Sequence, residues 1–157
     1  GAVIGDDAGA AGIVREAAKA ALLAHDDGLP DDGLLAALLD AFGVADAERL
    51  ARAVNDEPTT DNWGARAPAV FEAATAGSAR AAAVIDGAAA HLVRLVTQLR
   101  ARGAIGTDVV AGGSVVVAQP LLADAVRSGL AQRHPELAFQ VLTAEPVEGA
   151  LALARGL

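Results

Sequence analysis

The feature that most constrains this chain is the small size of its apolar side chains. Hydrophobic residues make up 54% of the sequence, yet 41 of the 157 residues are alanine, and only three Phe, one Trp and no Tyr stand beside them. An alanine methyl removes far less area from water than a Leu or Phe side chain, so it drives collapse weakly. Alanine is, however, the best helix former. A core of this composition must come from close helix packing on Leu, Val and Ile, and helix is expected to dominate.

The length suits one domain, residues 1–157. Twenty acids against 12 bases give a net charge of −8, which argues against nucleic acid and anionic membrane surfaces as partners. With no cysteine, disulfides, thiolate metal sites, cysteine nucleophiles and cysteine-ligated iron–sulfur clusters are excluded. The longest apolar run, residues 109–118, is about half a bilayer span and is broken by Gly112 and Gly113, so no transmembrane helix is expected. No basic segment followed by an apolar stretch opens the sequence, and a cytoplasmic setting is the expectation. The first residue is Gly1 rather than Met, which reads as a processed start or a piece of something longer.

Helices are expected over residues 13–25, 34–42, 46–54, 68–76, 78–102, 121–132 and 147–154, with Gly43 and Gly77 as terminators and Asp46 and Ser78 as N-caps. Ile85, Ala89, Leu92, Val96 and Leu99 form one stripe on the longest of these, with Arg94 and Gln98 opposite. Residues 55–64 lack periodicity and read as a loop. The β-branched run at 108–111, ending at Gly112 and Gly113, and the run at 138–142 read as strands. Val109, Val110 and Val141 suggest strands apolar on both faces, yet two strands alone do not make a stable sheet. The expectation is therefore an α/β fold, predominantly helical, with an incomplete sheet: the tail of a larger α/β domain.

Two glycine-rich segments could carry chemistry. In the first, residues 5–10 (GDDAGA), small residues let a ligand approach a helix start whose N–H groups favour anions, and Asp6 or Asp7 could accept hydrogen bonds from hydroxyls or hold Mg²⁺ through water. The same residues also read as a polar turn whose acids stabilise the helix dipole. The second, residues 109–114 (VVAGGS), places paired glycines at the carboxyl end of a strand, where a flat or phosphorylated ligand could sit; a tight packing turn explains it equally well. It lacks the Gly-Lys-Ser/Thr of a nucleotide P-loop and the flanks of a nucleophile elbow. His25, His91 and His134 share no ligand spacing and support neither a metal site nor a base. Asp26, Asp27, Asp31 and Asp32 lack the alternating register of a calcium loop and read as a solvated acidic loop. Trp63 reads as an anchor pinning its loop, with stacking on a ligand as the other use.

Taken in order, the opening GAVIGDDAGAAGIVREA, the long amphipathic helix, VVAGGSVV, the helix after Pro120 and the closing PVEGALALA give a recognisable succession. The chain resembles the C-terminal part of the BadF/BadG/BcrA/BcrD-type ATPases, and within them the N-acetylglucosamine kinases of the actin and sugar-kinase superfamily. The resemblance covers all 157 residues. Gly1, Gly5 and Asp6 match the family's W-G-x-x-x-G-D-E-G-S-G/A start; Asp7 stands where the family has Glu, and Ala8-Gly9-Ala10 where it has Gly-Ser-Gly/Ala. The fold implied is the C-terminal portion of a ribonuclease-H-like lobe.

By the same resemblance Asp6, with Gly5, would hold sugar hydroxyls, as an ionised carboxylate can. Gly112, Gly113 and Ser114 would line the purine and ribose of ATP, with Pro68 to Phe71 near the adenine. The superfamily's first phosphate loop, catalytic Asp and second phosphate turn have no counterpart in this sequence. The reading is thus the nucleotide- and sugar-binding part of an ATP- and Mg²⁺-dependent hexosamine kinase, inactive alone, whose partner is an N-terminal lobe or a second copy. The competing reading is a non-catalytic helical interaction module with structural glycine turns.

Overall fold

In the computed structural model, which describes residues 6–142, 144 and 146–156, helix dominates as the alanine content requires. The order among the described residues is α1 (Ala10–Asp26), α2 (Leu34–Phe42), α3 (Ala47–Asp56), α4 (Thr60–Gly64), α5 (Ala67–Thr75), α6 (Ala79–Ala101), β1 (Asp108–Ala111), α7 (Ser114–Ala118), α8 (Pro120–Arg133), β2 (Ala138–Val141) and α9 (Pro146–Arg155).

The centre is α1. Its buried residues, Ala11, Gly12, Ile13, Val14, Ala17, Ala18 and Ala21 among them, are mostly small, and α2 through α6 all pack against it. Leu34, Leu38, Leu50, Val70, Phe71, Ile85, Leu122 and Leu130 fill the space around that surface and form one core with it. Burial of each such side chain stabilises by about 1.5–3 kcal/mol. The second close contact is between α6 and α8, where a methyl group on Gly129 would stand 2.9 Å from Val93 Cγ2.

The expected stripe on α6 holds at Ile85 and Ala89 and is completed by Ala81, Ala88 and Val93. It fails at Leu99, which is 56% exposed in a last turn that no packed neighbour covers. By length and composition alone, α6 is the one described helix able to cross a membrane, where the sequence reading considered only residues 109–118. One face of it lies in the core against α1, α5 and α8.

Two loop expectations change. Residues 55–64 are not one loop: α3 runs to Asp56, and Thr59 caps α4 by accepting the Asn62 N–H at 3.1 Å. Helices this short show no periodicity in a sequence. Trp63 is buried, and its indole N–H donates to the Val54 carbonyl at 3.1 Å, so it is an anchor. Nor are all the acids of the 26–32 segment merely solvated. Asp31 accepts the backbone N–H groups of Gly33, Leu35 and Ala36 at the start of α2. Asp32 crosses to α6, accepting the Arg80 N–H at 2.9 Å and pairing with its guanidinium at 3.2 Å.

β1 and β2 pair in parallel, Asp108 opposite Ala138 through Ala111 opposite Val141. Val109, Ala111, Phe139 and Val141 face the helices, where the Arg127 guanidinium lies 5.5 Å from the Phe139 ring centre. The other face is bare. Val110, expected to be buried, is 57% exposed, because no described element covers that side. Ile105, Leu142, Val147, Leu151 and Leu153 are exposed apolar residues before and after the strands. Parallel sheets are ordinarily covered on both faces.

Partial burial pushes the Asp32 carboxyl up, but the Arg80 N–H, the Ser78 hydroxyl, the Leu34 N–H and the Arg80 guanidinium outweigh it and hold it below the usual carboxylate range. A depressed folded-state value adds stability above the unfolded carboxylate's titration and loses it as pH falls through the folded one. Asp32→Ala should therefore cost about 2 kcal/mol in urea denaturation at neutral pH. The difference should shrink below about pH 4; an unchanged difference there would remove the charge from the account.

Candidate functional site

Of the first glycine-rich segment, Gly5 lies outside the described residues and Asp6 begins them. The chain folds back on α1 at this point. A methyl on Gly12 would overlap the Asp6 carbonyl oxygen, and one on Gly9 would overlap its carboxylate. The two glycines therefore let the turn lie directly on the first turns of α1. Their spacing gives them this packing role; the Asp6 carboxylate is half-buried over Gly9.

Asp7 turns toward a groove between α1 and α6. Its Oδ1 accepts from Arg15 Nη2 at 2.7 Å, and its Oδ2 lies 3.3 Å from His91 Nδ1. Glu16 continues the row, accepting from Arg15 Nε at 2.9 Å and Lys19 Nζ at 2.8 Å. Burial lowers the affinity of Arg15 for its proton, but the hydrogen bonds it donates to Glu16 and Asp7 outweigh this and hold the guanidinium above its ordinary value. Partial burial likewise pushes Glu16 up, and Lys19 and Arg15 bring it below the usual carboxylate range. Ala20, Leu23, Val84 and Gly87 form the apolar part of this groove of about 630 Å³. The sequence analysis does not single out this row: only Glu16 and Lys19 stand at i, i+3 spacing, and the junction with His91 and Arg94 joins residues distant in sequence.

The second segment ends β1. Gly112 lies against Leu142, a methyl there meeting Leu142 Cδ2 at 3.6 Å, and Gly113 has φ of 126°, which L side chains rarely adopt. Gly113 leads directly into α7, a helix that the sequence reading did not expect. Pro68 lines a different groove, between α5 and the start of α8. Phe71, Glu72 and Thr75 share its α5 wall; Gln119, Pro120, Leu121 and Asp124 form the opposite one. Its volume, about 570 Å³, is within the usual range for a small-molecule site.

The structure thus brings Pro68 and Phe71 to the start of α8, with α7 between that groove and the Gly-Gly-Ser turn. Gly112, Gly113 and Ser114 do not line that groove, and neither does Asp6. Comparison with models of known protein families and with curated proteins finds no match.

The groove can be tested for what it would hold. Pro68, Phe71 and Leu121 offer apolar surface for a flat ring, and the Gln119 amide offers both a donor and an acceptor to its edge. Its charged lining residues, Glu72 and Asp124, are acids. Such a lining suits an uncharged, flat group and sets no cation against an anionic one. No cluster of three acidic or histidine ligands for a metal occurs among the described residues, so the donor set does not fit Mg²⁺ either.

The contact at Gly12 has a direct consequence. Gly→Ala inside a helix ordinarily stabilises by up to about 1 kcal/mol, as expected for Gly87→Ala in α6, where nothing lies within 4 Å of the new methyl. Gly12→Ala should instead destabilise by about 1–3 kcal/mol, because the turn or α1 must move. Paired urea melts decide it: equal stabilisation by both variants would show that the turn does not rest on Gly12.

Proposed function

We propose that this chain is the nucleotide- and sugar-binding part of an ATP-dependent hexosamine kinase-like protein, related to the BadF/BadG/BcrA/BcrD-type ATPases and built on part of a ribonuclease-H-like lobe. The observation that carries this is the groove between α5 and α8. Pro68 and Phe71, which the resemblance puts near the adenine, face Gln119 to Leu121, which follow α7 after the segment it assigns to the purine and ribose. The helix-covered face of β1 and β2 and their parallel pairing are compatible with such a lobe.

The reaction of the complete protein would be transfer of the ATP γ-phosphoryl to a sugar hydroxyl, in the cytoplasm. Within this chain Asp6 would accept hydrogen bonds from the sugar, and the α5–α8 groove would hold the nucleoside. The polyphosphate and Mg²⁺ need donors and ligands from a further lobe or a second copy. The bare face of the two-stranded sheet, with Val110 at its centre, is where such a partner would add strands or cover.

That same apolar face favours the second reading, an interaction module whose partner seats on it and whose glycine turns are structural. The two readings part on nucleotide binding. Ligand at a hundredfold excess over its Kd stabilises by about 2.7 kcal/mol, which for a domain of this size is a Tm rise of roughly 5–10 °C. The kinase reading expects adenosine and ADP each to raise Tm, and Leu121→Arg, at an exposed position in the groove wall, to abolish the rise without unfolding the chain. Absence of any shift with the assembly purified from its own host would leave the interaction module. An ADP-release assay on the 157 residues alone should give no turnover.

A further inference from the structure

His91 stands where the turn before α1 meets α6, and its Nδ1 has two neighbours that demand opposite protonation states. Arg94 Nη2 lies 2.8 Å from it and Asp7 Oδ2 lies 3.3 Å from it. A guanidinium only donates, so Arg94 bonds this nitrogen when it carries a lone pair. A carboxylate only accepts, so Asp7 bonds it when it carries a hydrogen. One nitrogen cannot serve both at once.

We propose that His91 is a proton-operated clasp between the 6–9 turn and α6. With Nδ1 unprotonated, the ring holds Arg94, its lone pair faces the Asp7 carboxylate, and Asp7 relies on Arg15. One proton taken up from water at Nδ1 reverses the pairing: the imidazolium donates to Asp7 and repels the Arg94 guanidinium, which leaves. No other bond is made or broken.

The surrounding charges fit this exchange. From α1 the site is faced by Arg15, which keeps its 2.7 Å bond to Asp7, and by Glu16 and Lys19, which are bonded to each other. Asp6, on the same turn, lies over Gly9. From α6, Arg80 is held by Asp32 and the Pro30 carbonyl, leaving Arg94 as the cation that moves. Arg94 borders both the α1–α6 groove and the groove between α6 and α8, so the exchange moves a side chain that the two share. Acidification therefore tightens the turn. The clasp holds whether or not Asp6 meets a sugar.

The test is ¹⁵N NMR of the histidine rings in the full chain, with hydrogen exchange of the Ile13 and Val14 amides in the first turns of α1. At the alkaline end of the titration the His91 Nδ1 should show the shift of an acceptor nitrogen, and at the acid end both ring nitrogens should be protonated. Exchange at Ile13 and Val14, corrected for its intrinsic pH dependence, should slow about threefold or more on acidification. His91→Gln should remove that slowing, and Arg94→Met should keep it. Nδ1 carrying hydrogen at the higher pH, or slowing that survives in His91→Gln, would overturn the proposal. If His91→Gln does not fold, Asp7→Asn takes its place: loss of the slowing supports the clasp, and persistence overturns it.

Discussion

Everything in this molecule rests on how closely other helices can approach α1. A helix whose buried surface is Ala11, Gly12, Ala17, Ala18 and Ala21, relieved only by Ile13 and Val14, presents almost a bare backbone cylinder. Five helices lean on it, and the larger side chains of the core come from them rather than from the centre. Close approach makes up in dispersion contacts what alanine lacks in buried area. It also makes the centre intolerant of added volume, as at Gly12, and at Gly129 where α8 meets Val93.

Much of this architecture was legible because local chemistry decides it. Gly43 ends α2 in the left-handed region, Asp46 caps α3 by accepting the Arg49 N–H, and Ser78 caps α6 by accepting the Ala81 N–H. Both strands lie where the β-branched and apolar runs put them. What escaped reading depends on contacts across the chain. Asp32 looks like one more acid in a loop until α6 arrives beside it. Leu99 and Val110 look like core, yet no described element covers them. Helix α4 is too short to announce itself.

The candidate site divides in the same way. Pro68 was singled out by resemblance, but its companions Gln119, Pro120 and Leu121 lie on a helix start that reads as ordinary helix in the sequence. Of the charged row from Asp7 to Lys19, only the Glu16–Lys19 pair has helical spacing, and the rest forms where the turn folds back on α1. The charged lining residues of the α5–α8 groove are acids, a surface unsuited to an anionic group. A net charge of −8 points the same way, since a chain this acidic does not gather polyphosphate by its overall field.

The single indole sits apart from all of this. Trp63 is packed in the core on α4, bonded to Val54, and lines none of the grooves described. With no tyrosine in the chain, its emission is an optical signal from one place. That place is the seam between α4 and the first turns of α1, where Gly64 abuts Ala10. Its fluorescence therefore reports loosening of the interior, and stays silent about occupancy of the surface.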